Sequence, residues 1–192
     1  MKTRATPIAG LLIVELDVFG DSRGMFMERF HEEKFHALGL PTHFPQDNHS
    51  RSAPGVLRGL HYQSAPAQGK LVGCTRGRIW DVAVDIRPES PTFGQHFGLE
   101  IAGESGLMLW IPGGFAHGFC VLGDEPADVV YKCTAVYGAA TDAGLAWNDG
   151  EMNVAWPLNA MSLPSDGLPL LSDRDKKQPG FAAYKANPPV WG

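Results

Sequence analysis

Residues alternate between apolar and polar along much of this chain, and a period of two belongs to β-strands. In the segment RIWDVAVDIR, residues 78–87, the two alternating sets are Trp80, Val82, Val84, Ile86 and Asp81, Ala83, Asp85, Arg87. Successive side chains of a strand point to opposite faces, so this segment predicts a strand with one buried face. A helical period of 3.6 does not fit it.

Similar short runs recur along the chain: LLIVEL, MFMERF, GVLRGLHYQ, HFGLEIA, LMLWI and ADVVYKCTAVY, the last with Val129, Tyr131, Cys133, Ala135 and Tyr137 on one face. The 23 glycines and 15 prolines supply turns between them. Only HEEKFHALG reads as a clear helix, and the polar residues from about 176 to 192 contain no obvious one. We therefore predict a single all-β domain over residues 1–192, a sandwich or barrel with one or two short helices, whose C-terminal tail wraps the barrel in an unassigned role.

Composition excludes several classes of protein. A net charge of −5 without any block of Lys or Arg provides no surface for nucleic acid or an anionic membrane. The N-terminal apolar run stops at Glu15 and Asp17, so neither a signal peptide nor a membrane span is expected. The three cysteines lack C-x-x-C spacing, which favours buried free thiols and a cytoplasmic location.

Histidines and arginines concentrate in QDNHSRSAPGVLRGLHYQ, residues 46–63. Strict alternation would place Arg58 and His61 on opposite faces of a strand. Gly59 lies between them and could mark a bulge that turns both into one cavity; otherwise one of them is a surface residue. His117 is expected in a Gly- and Pro-rich turn, facing a barrel mouth or capping a loop. Tyr131 on its own reads more readily as a core tyrosine than as an acid.

A metal site is disfavoured by the residues. No H-x-H sequence occurs, although metal-binding barrels of this size place two histidines one residue apart, and the comparable position reads HYQ. Three or four protein ligands would have to come from dispersed histidines.

Six blocks together resemble the family of dTDP-4-dehydrorhamnose 3,5-epimerases: VFGDSRGMFMERF, QDNHSRSAPGVLRGLHYQ, GKLVGCTRGRIWDVAVDIRPESPTFGQ, LWIPGGFAHGF, YKCTAVY and LAWND. The resemblance runs from about Leu11 to Asp175. It implies a cupin-type jelly roll, a homodimer, and no metal or other cofactor. It also implies inversion of C3 and C5 in dTDP-4-dehydro-6-deoxy-D-glucose, giving dTDP-4-dehydro-L-rhamnose for cell-surface polysaccharide synthesis.

The resemblance also assigns roles to residues. His61 is implied as the general base, Asp175 as its partner, Tyr131 as the acid and Lys70 as a cation of the site. Implied substrate contacts are Arg23, Glu28, Gln46, Asp47, Asn48, Arg58, His117, Asp142 and Arg174. Two of these depart from the family's pattern, because Arg174 replaces a lysine and Asp142 replaces a glutamate. Sugar and nucleotide preference are therefore less firmly implied than the chemistry.

These roles suit the reaction. A proton on C3 or C5 flanks the C4 ketone, and histidine has the near-neutral pKa that its removal requires. Lys70 is the candidate to stabilise the enolate, and Arg58 and Arg23 are suited to grip a diphosphate. Phe19 or Phe26 could stack on thymine or pack in the core.

Other activities remain open at this stage. The chain could be an epimerase that acts at one carbon or on another nucleotide sugar, or a metal-dependent enzyme of the cupin fold. A sugar-binding cupin would dispense with His61, Asp175 and Tyr131. The homodimer has a physical argument besides the resemblance, since LLIVEL reads as an apolar strand whose edge needs a neighbour.

Overall fold

The computed structural model describes all 192 residues and contains thirteen strands and two α-helices. The strands are β1 (Lys2–Ala5), β2 (Leu12–Glu15), β3 (Val18–Asp21), β4 (Gly24–Met27), β5 (Gln46–Ser52), β6 (Leu57–Gln63), β7 (Lys70–Arg76), β8 (Arg78–Asp85), β9 (His96–Ala102), β10 (Leu107–Ile111), β11 (Phe115–Val121), β12 (Ala127–Cys133) and β13 (Asp142–Gly144). The helices are α1 (Glu32–Ala37) and α2 (Phe181–Ala186), with 3-10 turns at Leu158–Ala160 and Asp175–Lys177.

Two antiparallel sheets form the barrel. One has the order β1-β2-β10-β7-β12-β5 and the other the order β13-β6-β11-β8-β9, while β3 and β4 form a separate hairpin. Neighbours in each sheet are often distant in sequence, as in the pairing of β2 with β10. This arrangement is a cupin-type jelly roll, and it confirms the predicted all-β class.

Strand β8 is buried on both faces, whereas its alternation predicted one. Ile79 and Ala83 point into the barrel, where they join a core cluster with residues of the opposite sheet such as Val72 and Leu109. Asp81 shares that inward face. The opposite, more apolar face of β8 is covered from outside. Alternation identified the strand but not which face meets the interior.

The C-terminal tail provides that cover. Phe181 and Tyr184 of α2 pack with Val82 and Val84 of β8, and the Tyr184 hydroxyl donates to the carbonyl of Ile86. The expectation of no helix after residue 176 was therefore wrong. A six-residue helix has little stability of its own, and packing of its apolar face on a sheet supplies it.

The predicted helix HEEKFHALG is confirmed as α1, whose buried Phe35 packs on the outer face of the six-stranded sheet near Trp110. The LLIVEL strand was expected to need a neighbour at its edge, and that neighbour comes from the same chain, so it gives no argument for a dimer. Strand β2 lies between β1 and β10, so β1 is the edge strand. Four residues of β1 cover β2 in register from Lys2↔Glu15 to Ala5↔Leu12.

Candidate active site

A cavity of about 510 Å³ opens between the two sheets. Its polar lining residues come from both sheets and from the segment before α2: Ser50, Arg58, His61, Lys70, His117, Tyr131, Ser172, Arg174 and Asp175. The four residues expected to be catalytic, which are separated by up to 114 positions in sequence, thus meet in one place.

A bulge at Gly59 places Arg58 and His61 in the same cavity. His61 pairs with His117 and Arg58 pairs with Phe119, so β6 contains an extra residue relative to β11. Gly59 has φ +127°, and a Cβ at this position would lie 2.6 Å from the Cα of Gly118. Glycine is required there, and the first of the two sequence-based alternatives is confirmed.

His61 and Asp175 form a hydrogen-bonded pair. His61 Nε2 lies 2.6 Å from Asp175 Oδ1, and the side chains are 30% and 3% exposed. Burial acts to raise the pKa of Asp175, but hydrogen bonds from His61, Ser172 and the Gly59 backbone outweigh it and hold the pKa below its ordinary value. The carboxylate therefore stays ionised at neutral pH, where it orients the imidazole and stabilises its protonated form.

A second such pair consists of His117 and Asp81. His117 Nε2 lies 2.9 Å from Asp81 Oδ2, with both side chains buried. His117 lies inside strand β11 and faces the cavity, so the expectation of a turn position was wrong. Sequence reasoning missed Asp81 as a site residue. The only signal for it was an aspartate in the alternating pattern of a strand that is otherwise apolar.

Lys70 is a buried cation without a carboxylate partner. It begins β7, lines the cavity and is 9% exposed, and it forms no salt bridge. Burial lowers its pKa and outweighs the Cys133, Asp142 and Asp81 side chains, which act in the opposite direction. An unpaired ammonium in a partly desolvated cavity is well suited to stabilise developing negative charge.

Tyr131 lines the cavity from the sheet opposite His61. It belongs to β12 of the six-stranded sheet, and His61 belongs to β6 of the five-stranded sheet. Burial raises the pKa of Tyr131, so the phenol carries its proton at neutral pH. The predicted continuation of this face to Ala135 and Tyr137 was wrong, because the strand ends at Cys133 and Tyr137 is exposed.

Two arginines border the cavity. Arg58 donates to Ser52 Oγ at 3.0 Å and has no carboxylate partner. Arg174 Nη1 lies 2.7 Å from Asp142 Oδ2, so the two residues that depart from the family's pattern form an ion pair with each other.

Strand β5 separates its three expected contacts by alternation. Gln46 and Asn48 point the same way as Ser50, which lines the cavity. Asp47 points to the opposite face of the strand, where Lys132 Nζ lies 2.6 Å from its Oδ2. In the single chain, the Asp47 side chain therefore lies outside the cavity.

Arg23 and Glu28 also lie outside the cavity of their own chain. Arg23 is in the turn between β3 and β4 and pairs with Asp21, while Glu28 follows β4 and pairs with Lys34 at 2.6 Å. On the same hairpin, Phe19 and Phe26 are cross-strand partners that are 64% and 66% exposed. Neither aromatic packs in the core.

No group of three or more His, Cys, Asp or Glu side chains lies close enough to hold a metal ion. None of the helices has the length and apolar character needed to cross a membrane. The three cysteines are buried and unpaired, as predicted.

Comparison with known proteins identifies the family of the chain. The sequence profile of the dTDP-4-dehydrorhamnose 3,5-epimerase family matches residues 5–183. A dTDP-4-dehydrorhamnose 3,5-epimerase of Shigella flexneri is 51% identical over 91% of this chain and 93% of its own length.

Solved structures of similar enzymes share the fold. A 3,5-epimerase of Legionella pneumophila in complex with dTDP-4-keto-L-rhamnose superposes with a TM-score of 0.89 at 41% identity, covering 100% of this chain and 98% of its own. A 3'-monoepimerase of Streptomyces bikiniensis in complex with dTDP-quinovose gives 0.84 at 34% identity, covering 94% and 88%. From its sequence, fold and matched profile, this chain belongs to the dTDP-4-dehydrorhamnose 3,5-epimerase family.

Proposed function

We propose that this protein inverts C3 and C5 of dTDP-4-dehydro-6-deoxy-D-glucose, forming dTDP-4-dehydro-L-rhamnose in dTDP-L-rhamnose biosynthesis. The observation that carries the proposal is the placement of a histidine base and a protonated tyrosine on opposite sheets of one cavity. Inversion needs a proton removed from one side of a carbon and another delivered to the opposite side. The Shigella and Legionella relatives support the choice of substrate.

In the first step, His61 removes the proton from the carbon beside the ketone. The C–H electron pair becomes the enolate double bond, and negative charge collects on the C4 oxygen. Asp175, hydrogen-bonded to the ring at 2.6 Å, stabilises the imidazolium that forms. A positioned base of this kind contributes about 10²–10⁴-fold in rate.

The enolate oxygen requires a positive partner. Lys70 provides it, because its buried ammonium is not neutralised by any carboxylate of the chain. Stabilisation by a preorganised donor of this kind is commonly about 3–4 kcal/mol. A ketone stabilised in this way accepts the electron pair without a cofactor.

Tyr131 then delivers its phenolic proton to the opposite face of the enolate carbon. The enolate collapses to the inverted ketone and Tyr131 is left as a phenolate. Exchange with solvent returns a proton to Tyr131 and removes one from His61, which resets the site for the second carbon. The raised pKa of Tyr131 favours the protonated resting state.

Anion binding falls to the arginines and to His117. Arg58 has no carboxylate partner, so its guanidinium can take a bidentate diphosphate contact. Gln46 and Asn48 lie on the cavity side of β5, where their amides can bind a nucleobase.

The functional unit is a homodimer in which the β3–β4 hairpin reaches into the partner's site. Two observations support this. The hairpin exposes the apolar pair Phe19 and Phe26, and its Arg23, which resembles a substrate-contacting residue, lies outside its own chain's cavity. Exposed aromatic patches of this kind belong to interfaces.

A complementation experiment tests the dimer. The His61→Ala and Arg23→Ala variants are each expected to have little activity, and mixing them after reversible dissociation should restore it. Restoration requires that Arg23 of one chain serve His61 of the other. Light scattering that reports a single-chain mass, or mixtures that stay inactive, would contradict the proposal.

The reaction itself is tested by proton NMR of dTDP-4-dehydro-6-deoxyglucose with the protein in deuterated water. We expect deuterium at both C3 and C5 together with inversion at both. Epimerisation at one carbon is the second candidate, because the Streptomyces 3'-monoepimerase shares the fold. Deuterium incorporation and inversion that are confined to C3 would establish single-carbon epimerisation instead.

We place the protein in the cytoplasm. Its cysteines are unpaired, which suits a reducing compartment, and its proposed substrate is a nucleotide sugar.

A further inference from the structure

We propose that the ion pair between Asp142 and Arg174 is a latch that holds Asp175 against His61. Asp142 is then a positioning residue, which acts through Arg174 on the catalytic pair. The inference deepens the proposed function and rests on it for the turnover assays. Its structural part can be measured without substrate.

Asp142, the fixed partner of the ion pair, lies in the same sheet as His61. Asp142 starts the edge strand β13 and pairs in register with Gln63, and Gly144 of that strand pairs with His61. The Asp142 side chain is 12% exposed, and its Oδ2 lies 2.7 Å from Arg174 Nη1. The Arg174 side chain is 46% exposed, so solvent screens the pair from one side while the buried carboxylate fixes its geometry.

The segment that carries Asp175 has few other attachments. We call residues 170–178 the closing segment. Its backbone is hydrogen-bonded to the barrel at Leu170. The Leu170 carbonyl accepts from the Leu57 amide at 3.1 Å, and the Leu170 amide donates to the Gly55 carbonyl at 2.8 Å. The next backbone attachment is at Pro179, whose carbonyl accepts from Ala146 at 2.8 Å.

Between these two points, the closing segment is bonded mainly to itself. The amides of Asp175 and Lys176 donate to the side chain and carbonyl of Ser172. Polar contact with the barrel there is made by side chains: Arg174 pairs with Asp142, and Asp175 accepts from His61 and the Gly59 amide. Leu171 and Gln178 also pack on the barrel, so loss of the Arg174 pair is expected to shift Asp175 rather than to detach the segment.

The two departures from the family's pattern fit a shared task. Aspartate is one methylene shorter than glutamate, and arginine reaches farther than lysine. The shorter acid faces the longer base across one gap, so the pair keeps its span although both members differ.

The direction of a titration shift distinguishes a latch from simple electrostatics. Around His61, the cavity also holds Lys70, Arg58, His117 and Tyr131, which all of the following variants retain. Through space alone, removing the negative Asp142 lowers the protonation midpoint of His61, and removing the positive Arg174 raises it. A latch predicts a lower protonation midpoint of His61 in both single variants, because Asp175 moves away from the imidazolium when either partner of the ion pair is removed.

The experiment uses Asp142→Asn, Arg174→Gln and the double variant. Nitrogen-15 NMR follows the His61 ring against pH without substrate, with His61→Asn providing the assignment. We expect the midpoint to fall in all three variants by a similar amount. Glu100→Gln, which breaks the exposed pair with Arg78, is the matched control and should leave it unchanged. Midpoints that move in opposite directions for the two single variants overturn the latch.

Turnover provides a second reading. Because small misplacements of a catalytic group cost up to about 10²-fold, each single variant should lose roughly 10–100-fold in kcat with KM changed less than about three-fold. The double variant should be no worse than the poorer single variant. Losses that multiply, or that appear mainly in KM, would assign the two residues to separate substrate contacts and overturn the latch.

A conservative exchange completes the test. Arg174→Lys alone shortens the reach and should lose activity, whereas Asp142→Glu with Arg174→Lys restores the span and should recover kcat to within about three-fold. Absence of recovery counts against the latch. If the wild-type protein fails to turn over the dTDP sugar while both midpoints still fall, the proposed function fails and the latch stands.

Discussion

The cavity contains two histidine–aspartate pairs that are alike in chemistry and different in construction. His117 and Asp81 are held by neighbouring strands of one sheet, paired in register through residues such as His117↔Ala83. His61 is also on a strand, but Asp175 reaches it from the closing segment. The His61 side chain is 30% exposed and that of His117 is 9% exposed.

This difference in construction and exposure indicates which pair can transfer protons. A base must contact both its substrate and the solvent that resets it, and the more exposed His61 is better placed for this than His117. His117 is fixed by the strand register and faces the cavity as a rigid donor. Asp81 also leaves one buried oxygen, Oδ1, without a hydrogen-bond partner. Its charge acts to raise the pKa of Lys70, against the effect of burial.

The largest predicted effect separates the two pairs. His61→Ala should reduce turnover by about 10⁴-fold or to background, because the base is lost, while dTDP affinity stays within a few-fold. His117→Ala should lose less in kcat and more in affinity. Steady-state kinetics and calorimetry with dTDP measure both. Equal losses of affinity in the two variants would show that the pairs share one role.

Tyr131→Phe should uncouple proton exchange from inversion. His61 can still remove and return protons on its own side, so solvent deuterium should enter C3 or C5 at a substantial rate. Inversion should fall by about 10²–10³-fold because the opposite donor is missing. Time-resolved NMR in deuterated water compares the two processes. Inversion of both carbons at wild-type rates would make Tyr131 a packing residue.

Lys70→Met should trade activity for stability. Turnover should fall by about 10²–10³-fold as the enolate loses its cation. The free energy of unfolding should rise by about 1–3 kcal/mol, because a buried ammonium is replaced by an apolar chain of similar length. Kinetics and urea denaturation on the same preparation measure the two effects.

The stability gain should depend on pH in a defined direction. The pKa of Lys70 is lower in the folded protein than in the unfolded chain, so stability is lost as the pH falls through the folded-state pKa. The gain from Met is therefore fully present below that pKa and disappears above the ordinary lysine value of about 10.4. A gain that grows with rising pH would contradict the assignment of Lys70 as a desolvated cation.

The smallest predicted effect is that of a chelator. Dialysis against EDTA should leave kcat within about two-fold, since the ketone itself accepts the electrons and Lys70 stabilises the charge. Activity that is lost and then restored by a divalent ion would assign the chemistry to a metal-dependent member of the fold.

Much of the site could be predicted from sequence because its residues lie in specific blocks. The resemblance, which segments such as RGLH and YK carry, named His61, Tyr131, Lys70 and Asp175, and all four line the one cavity. Asp81 was not predicted, because an aspartate in an alternating strand reads as a solvent-facing residue. Only the neighbouring strand shows that its face is the interior.

The hairpin residues mark another limit. Sequence similarity grouped Arg23 and Glu28 with the cavity residues, yet the folded single chain leaves them outside it. In the proposed homodimer these residues would serve the partner's cavity, and similarity does not report which chain supplies a residue. That information is contained in the relative positions of folded chains.

The sequence by itself determined the strands and the chemical groups of this protein. A period of two and its turn residues reflect local backbone geometry, which neighbouring residues decide between themselves. Tertiary structure alone decided which face of β8 meets the interior, that a tail without a helical pattern forms α2, and that Asp142 meets Arg174. Each of these depends on contacts between segments far apart in the chain, and their free energy exists only when the whole barrel has folded.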